Sequence, residues 1–339
     1  MRDMQSAFVA FNDAGSNIFG SAPKLELLFE NDAYPFAHEA GIFISDRNEV
    51  FITSNQFIDP ATGKKKIQVT KVVLPTNDGE KATCEEIDTP GILMANGGVN
   101  YKDGMIFCAQ GSLDSPGGIV YMESVTPYHT EVLVDSFYGR PFNSVNDVVV
   151  HSDGSIWFTD PTYGFEQEIR PPPQLPSQVY RFDPKTKSIR AMADGFGHPN
   201  GISFSPDEKI VYVTDTDAAH DGRLDPSRAA SIYAFDLTYY SGSPFLTNRR
   251  LFAMASDGIP DGIKCDTQGN VYSGCGDGLN VWSSGGDLLG KIQLEGGVAN
   301  FCFGRDGEII LLNEDKLWRA KLSTATIGAL LKKRRQSVL

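Results

Sequence analysis

Residues 146–160 read NDVVVHSDGSIWFTD: a polar pair, a β-branched run, a turn of Ser, Asp and Gly, and a second run of isoleucine and aromatics. Two short apolar-rich runs around an Asp-Gly turn specify a β-hairpin. The same arrangement recurs five more times: EAGIFISDRNEVFIT from Glu39, NGGVNYKDGMIFCAQ from Asn96, NGISFSPDEKIVYVTD from Asn200, DGIKCDTQGNVYSGC from Asp261 and NFCFGRDGEIILLNE from Asn300. In most units the spacing leaves room for two further strands. Six units of four strands predict an all-β, six-bladed β-propeller, in which radial stacking protects sheet edges that separate sheets would expose. A linear solenoid would need end caps that the chain does not supply, and two unrelated domains would have no reason to share one turn phase.

Working outward, LELLFE at 25–30 precedes the first copy and is a candidate strand for the last blade, with KLWRAKL at 316–322 as another closing strand. The expected organisation is an N-terminal extension over 1–24, a single propeller over 25–322 and a solvated basic tail over 323–339, ending LLKKRRQSVL.

Composition narrows the function. The formal net charge of the 339 residues is -13, which repels polyanions and argues against a nucleic-acid footprint. No run approaches 18 consecutive apolar residues, so no helical membrane span is expected. The amino end lacks a continuous apolar core of signal-peptide length. The five cysteines, at 84, 108, 265, 275 and 302, are scattered and form no CxxC pair, and they read as buried thiols in a reducing, cytoplasmic setting. Oligomeric state is not legible in the chain.

The polar residue opening each copy matters most. The NG and ND pairs stand at strand entrances, with the hairpin turn about seven residues later, so they are not themselves the hairpin turns. If each inner strand begins at its copy's first residue, Glu39, Asn96, Asn146, Asn200, Asp261 and Asn300 encircle one end of the axis. Two carboxylates and four carboxamides, without sulfur or imidazole, suit a hard cation, and a large flexible cluster suits Ca2+ better than the tight octahedron of Mg2+. Asn and Asp at strand starts also bond local backbone in Asx turns, so phase alone leaves that structural reading open. Glu39 is less suited to such a turn.

FNSVNDVVVHSDGSIWFTDPTYG at 142–164 resembles the fingerprint of the gluconolactonase, senescence-marker-protein-30 and lactonohydrolase family. HPNGISFSPDEKIVYVTDT at 198–216, IPDGIKCDTQGNVYSGC at 259–275, AHEAGIFI at 37–44 and ANFCFGRDGEIILL at 299–312 extend the likeness in register. The resemblance implies an axial divalent metal held by Glu39, Asn146, Asn200 and Asp261, with Asn146 in some relatives nearer the substrate. Ca2+ is the first expectation, and Zn2+, Mg2+ or Mn2+ are alternatives. It also implies a small-molecule lactone or ester as substrate. The stretch ANGGVNYKDGMIFCAQGSLDSPGG at 95–118 departs from many microbial relatives, which carry a basic or histidine-bearing motif after the equivalent second strand. That departure weakens gluconolactone as the particular substrate.

A metal at the ring would polarise a carbonyl during water attack, and a carboxylate is then needed to take the proton from water. Asp261 is the first candidate base, Glu39 its rival, and His198 a third catalytic candidate. His38, Asn96, Asp147, Tyr163 and Asn300 are candidates for substrate contact or for supporting the ligands. His151 reads as a turn residue, His129 and His220 have no phased role, and Asp160 and Asp215 read as turn residues. Absence of a GxSxG elbow and of a GxGxxG before a helix argues against serine-nucleophile and dinucleotide chemistry. The competing readings are a lyase, isomerase or cyclase using the same cup, and a noncatalytic propeller that presents its loops to a partner.

Overall fold

The computed structural model describes residues 7–220 and 223–331, and in it the six hairpins are the inner halves of six four-stranded antiparallel blades. Blade 1 comprises Glu39–Ile44, Glu49–Thr53, Val69–Val73 and Thr83–Ile87; blade 2, Ala95–Tyr101, Gly104–Ala109, Gly118–Met122 and Thr130–Val134. Blade 3 comprises Val148–Val150, Ile156–Asp160, Gln178–Asp183 and Ser188–Ala193; blade 4, Pro199–Phe204, Ile210–Asp215, Ser231–Tyr240 and Ser243–Met254. Blade 5 is built from Ile263–Cys265, Val271–Cys275, Gly278–Trp282 and Leu288–Gln293. Blade 6 takes Asn300–Phe303, Glu308–Asn313 and Lys316–Lys321 from the carboxyl end, and its outer strand, Lys24–Glu30, from the amino end. LELLFE is thus the closing strand.

Each blade lies between two others, so both faces of its central strands are buried and the runs are apolar without interruption. The period of two still decides which neighbour each side chain meets. In blade 3, Val148, Ile156 and Phe158 pack with Val99, Ile106 and Ile119 of blade 2, whereas Val149 and Trp157 pack with Ile202, Phe204 and Val211 of blade 4. Trp157 is 1% exposed, and its indole meets Phe204 edge-on at 5.6 Å while donating to Ser155 Oγ at 3.0 Å. Such side chains contribute about 1.5–3 kcal/mol each on burial, and repetition at every blade interface closes the ring.

Both termini depart from the expected boundaries. Phe8–Ala10 adds a fifth strand to blade 5 by pairing with Leu288–Gln293. It leads into the helix Asp13–Phe19, capped by Asn12 Oδ1 on Gly15 N and buried through Ile18 and Phe19. Segment 7–24 therefore belongs to the body, held by apolar residues too few to register as a unit in the sequence. The tail is also corrected over 323–331. Thr326 Oγ1 bonds Ile18 O, Gly328 bridges Asp266, and Thr267 N bonds Ile327 O. Leu330 packs against the clusters of blades 2–3 and 3–4, and Leu331 against those of blades 5–6 and 6–1. This apolar run stoppers the end of the axis remote from the inner-strand starts, leaving a void of about 40 Å3 beside Asp147, Lys264 and Leu330. The basic run at 332–335 lies outside the described residues, as do residues 1–6.

Candidate metal centre and the cup around it

Every inner strand runs from the ring to the stoppered end and its partner returns, so connections between second and third strands project on the ring side. Three carry extra structure: the hairpin Phe57–Ile58 with Lys65–Lys66, the short helix Tyr163–Glu166, and the hairpin Ala219–His220 with Arg223–Leu224. Lys65 Nζ donates to Gln167 O at 2.6 Å, tying the first insertion to the helix. These insertions wall a cup whose floor is the ring.

Glu39, Asn96, Asn146, Asn200 and Asn300 are buried, at 2, 9, 3, 5 and 0% exposure, whereas Asp261 is partly open to the cup. Single carboxylate oxygens of Glu39 and Asp261 and a nitrogen of His38 lie within 4.8 Å of one another. Asn300 Nδ2 donates to Glu39 Oε2 at 2.6 Å, and its own Oδ1 accepts from Lys264 Nζ at 3.0 Å and Phe301 N at 2.8 Å. Asn300 is thereby committed to holding Glu39. His38 Nδ1 pairs with Glu314 Oε1 at 2.6 Å, and Glu314 also accepts from Asn55 Nδ2 at 3.1 Å.

The glycines after three ring residues explain the NG and DG pairs. A Cβ on Gly97 would lie 2.5 Å from Asn146 O, on Gly201 2.6 Å from Asp261 O, and on Gly262 2.3 Å from Asn300 Cγ. Each absent side chain makes room for the next blade's ring residue.

The ring is also pinned by threonines. Thr53 Oγ1 donates to Asn96 O at 3.2 Å, Thr159 Oγ1 to Asn200 O at 2.6 Å, and Thr214 Oγ1 to Asp261 O at 3.0 Å. Each closes its blade's second strand and holds a ring residue of the following blade. The repeated FIT, FTD and VTD endings carried this signal in the sequence. Asp160 and Asp215, read there as turn residues, are buried clamps: Asp160 accepts from Asn143 N and Ser144 N, and Asp215 from Gly197 N and His198 N. They fix the loops that enter the inner strands.

The electrostatics fit a cation. Burial and the proximity of Asp261 push the Glu39 carboxyl upward, and burial pushes Asp261 upward against the opposing pull of His38. Burial lowers His38, but Glu314 outweighs it and carries the imidazole up to about 10. Burial raises both carboxyls and Asp261 raises Glu39 further, a penalty that a divalent charge beside them would relieve. The Oδ1 atoms of Asn96, Asn146, Asn200 and Asp261 are buried without a hydrogen-bond partner. Unmet buried acceptors cost about 1–3 kcal/mol each, and four at one ring, beside Glu39, are the donor set of a hard, oxygen-seeking ion. The residues present fit such a metal.

The remaining candidates separate. Asp147 accepts from Val148 N at 2.8 Å and Ile202 N at 3.1 Å, stitching blade 3 to blade 4 beside the lower void. Tyr163 stands on the cup wall: Asn200 Nδ2 approaches its hydroxyl at 3.4 Å, and that hydroxyl also bonds Thr216 Oγ1. His198 belongs to the rim, with Nε2 2.8 Å from Glu166 Oε1. His220, which has no phased role in the sequence, stacks on His198 at 5.6 Å. Lys264, Glu314, Glu166 and the three threonines were not singled out from the sequence.

The fold and the ring define a six-bladed propeller whose inner strands deliver carboxylate and carboxamide oxygens to one end of the axis. Residues 58–312 match the SMP-30/gluconolactonase/LRE-like region, and the chain belongs to that family. Glu39 precedes the matched region, yet its strand completes the same ring. The lactonohydrolase oryL of Aspergillus oryzae is 28% identical over 339 residues, spanning 93% of this chain and 73% of that protein. The gluconolactonase of Zymomonas mobilis is 29% identical over 248 residues, 70% of this chain and 65% of the relative. Among solved structures, a gluconolactonase from Xanthomonas campestris superposes with a TM-score of 0.72 at 26% identity, covering 93% of this chain and 94% of the other.

Proposed function

We propose that the chain is a divalent-metal-dependent hydrolase that opens a lactone or related small ester in the ring-side cup. The observation that carries this reading is the convergence of four unpartnered buried oxygens, one of them on Asp261, with Glu39, whose carboxyl is raised by burial and by Asp261. Similarity to lactonohydrolase oryL and to gluconolactonases supports the reaction class.

Glu39, Asn146, Asn200 and Asp261 would hold the ion, with Ca2+ favoured by their oxygen donors. When bound, it supplies Lewis-acid polarisation of the carbonyl and stabilises charge on its oxygen. Asn300 keeps Glu39 oriented, and Lys264 keeps Asn300 oriented in turn. Asp261 is the proton acceptor for the attacking water: it is partly open to the cup, its Oδ1 has no hydrogen-bond partner, and Glu39 is buried and tied by Asn300. Tyr163 lines the wall that the substrate meets. His198 is engaged by Glu166, so the proton route is given to Asp261. A small, neutral lactone or ester suits an acidic protein with a polar ring at one end of its axis. Five free thiols, four of them buried, support a reducing compartment, and the reading places the chain in the cytoplasm.

The test couples metal removal to a substitution. Chelated protein should lose lactone opening while keeping its β signature, and hydrolysis in H2(18)O should put one labelled oxygen in the product. Asp261→Asn, with metal content measured directly, should lower the saturated rate by about 10²–10⁴-fold. Full turnover in metal-free protein would overturn the proposal, and near-normal turnover by fully loaded Asp261→Asn would remove Asp261 as the base. Product without the label would move the reaction to a lyase, isomerase or cyclase.

A further inference from the structure

On the rim, Glu166, His198 and His220 form a group whose chemistry differs from that of the ring. They come from three places in the chain: the helix Tyr163–Glu166, the entrance to the inner strand of blade 4, and the hairpin inserted between that blade's second and third strands. One ligand-capable atom from each lies within 4.8 Å of the others. His198 is 3% exposed, with Nε2 at 2.8 Å from Glu166 Oε1 and Nδ1 buried without a partner. Facing a carboxylate oxygen, Nε2 carries the proton and donates it to Glu166, and a metal taking Nε2 would displace that proton to the unpartnered Nδ1 or to solvent. Tyr163 separates this group from the ring: its aromatic ring lies 4.9 Å from that of His198, and its hydroxyl meets the amide of Asn200.

We propose that Glu166, His198 and His220 constitute a second cation site, on the rim of the cup, which takes a borderline transition metal of the Zn2+ class in preference to Ca2+. Two imidazoles and one carboxylate are the donors such ions prefer, and three protein ligands leave a coordination position open. Ca2+ seeks six to eight oxygens and gains little from imidazole. The ring offers the opposite set, with carboxylates and carboxamides, so the two places sort cations by chemistry. A tetrahedral shell with bonds of about 2.0–2.1 Å needs ligand atoms roughly 3.3 Å apart. The His198–Glu166 pair is already closer than this, and the adjustment falls on His220, carried by a hairpin at the surface. The proposal stands apart from the lactonase reading, since it concerns binding alone.

The experiment uses the full chain pre-saturated with excess Ca2+ and titrated with Co2+, read by visible absorption and calorimetry. One equivalent of Co2+ should bind with the visible bands of a nitrogen-containing shell, and further Ca2+ should not displace it. His220→Ala and, separately, Glu166→Gln should each weaken Co2+ binding at least tenfold while Ca2+ uptake stays as in the parent. Both side chains reach the surface, and a thermal melt of each variant confirms the fold. Absence of Co2+ binding, one-for-one displacement by Ca2+, or undiminished Co2+ affinity in His220→Ala would each overturn the assignment and leave Glu166–His198 as a simple ion pair.

Discussion

Replacing Thr159 with Val tests whether the pinning threonines hold the ring. The two side chains are nearly isosteric, so no cavity opens; what disappears is a hydroxyl at a position with 0% exposure. That hydroxyl donates to Asn200 O at 2.6 Å and accepts from Asp147 N at 3.1 Å. Its loss strands a buried carbonyl and a buried N–H, each worth about 1–3 kcal/mol; with partial relaxation the expected destabilisation is about 2–4 kcal/mol. Because Asn200 is one of the proposed ligands, cation affinity should fall by about tenfold, or about 1.4 kcal/mol. Urea unfolding followed by fluorescence reads the first quantity and calorimetric Ca2+ titration the second. Thr159→Ser, which keeps the hydroxyl and removes one methyl, should cost only about 1 kcal/mol and preserve affinity. If the Val variant matched the parent and the Ser variant were the weaker, the hydroxyl would contribute nothing and the pinning argument would fail.

Gly262→Ala should drive a methyl into the Asn300 carboxamide, 2.3 Å away, releasing Glu39 and lowering cation affinity with circular dichroism unchanged. Asp153 offers a pH test. Burial raises its carboxyl, but hydrogen bonds from Ser155, with help from His151, outweigh burial and hold it down to about 2. A carboxyl depressed on folding stabilises above the unfolded value near pH 4, and that stability is lost as pH falls toward 2. Asp153→Asn should therefore flatten the acid limb of the Tm–pH curve by about 1 kcal/mol, discounted because the side chain is 39% exposed. Leu330→Ala with Leu331→Ala should cost about 2–3 kcal/mol of thermal stability while leaving cation affinity at the parent value.

The propeller was legible because every blade repeats one hairpin in one phase, and the period places six polar residues at one end of the axis. LELLFE was legible as a closing strand because it is apolar and precedes the first complete unit. Phe8–Ala10 was not, since three residues added at an edge leave no periodic trace. The tail misled because IGALL is followed at once by KKRR, and the charged run dominates the reading of a segment whose first half is apolar. Within the site, the ring residues were visible through their phase. Lys264 and Glu314 were not, because they sit within or after strands and reach the ring only through Asn300 and His38. Glu166 and His220 come from insertions of different length and no shared pattern, and only the fold brings them to His198.

Among the described residues, Ala329–Leu331 cover the end of the axis remote from the ring. With that end covered by apolar side chains, the proposed ion, substrate and product would exchange through the cup that holds Tyr163 and the rim histidines. Traffic on one side is ordered: whatever occupies the cup would stand between the proposed ion and bulk solvent. A saturating product should therefore slow chelator-driven loss of the ion without strengthening its equilibrium coordination, and a double substitution that loosens the stopper should restore that loss by opening a back door.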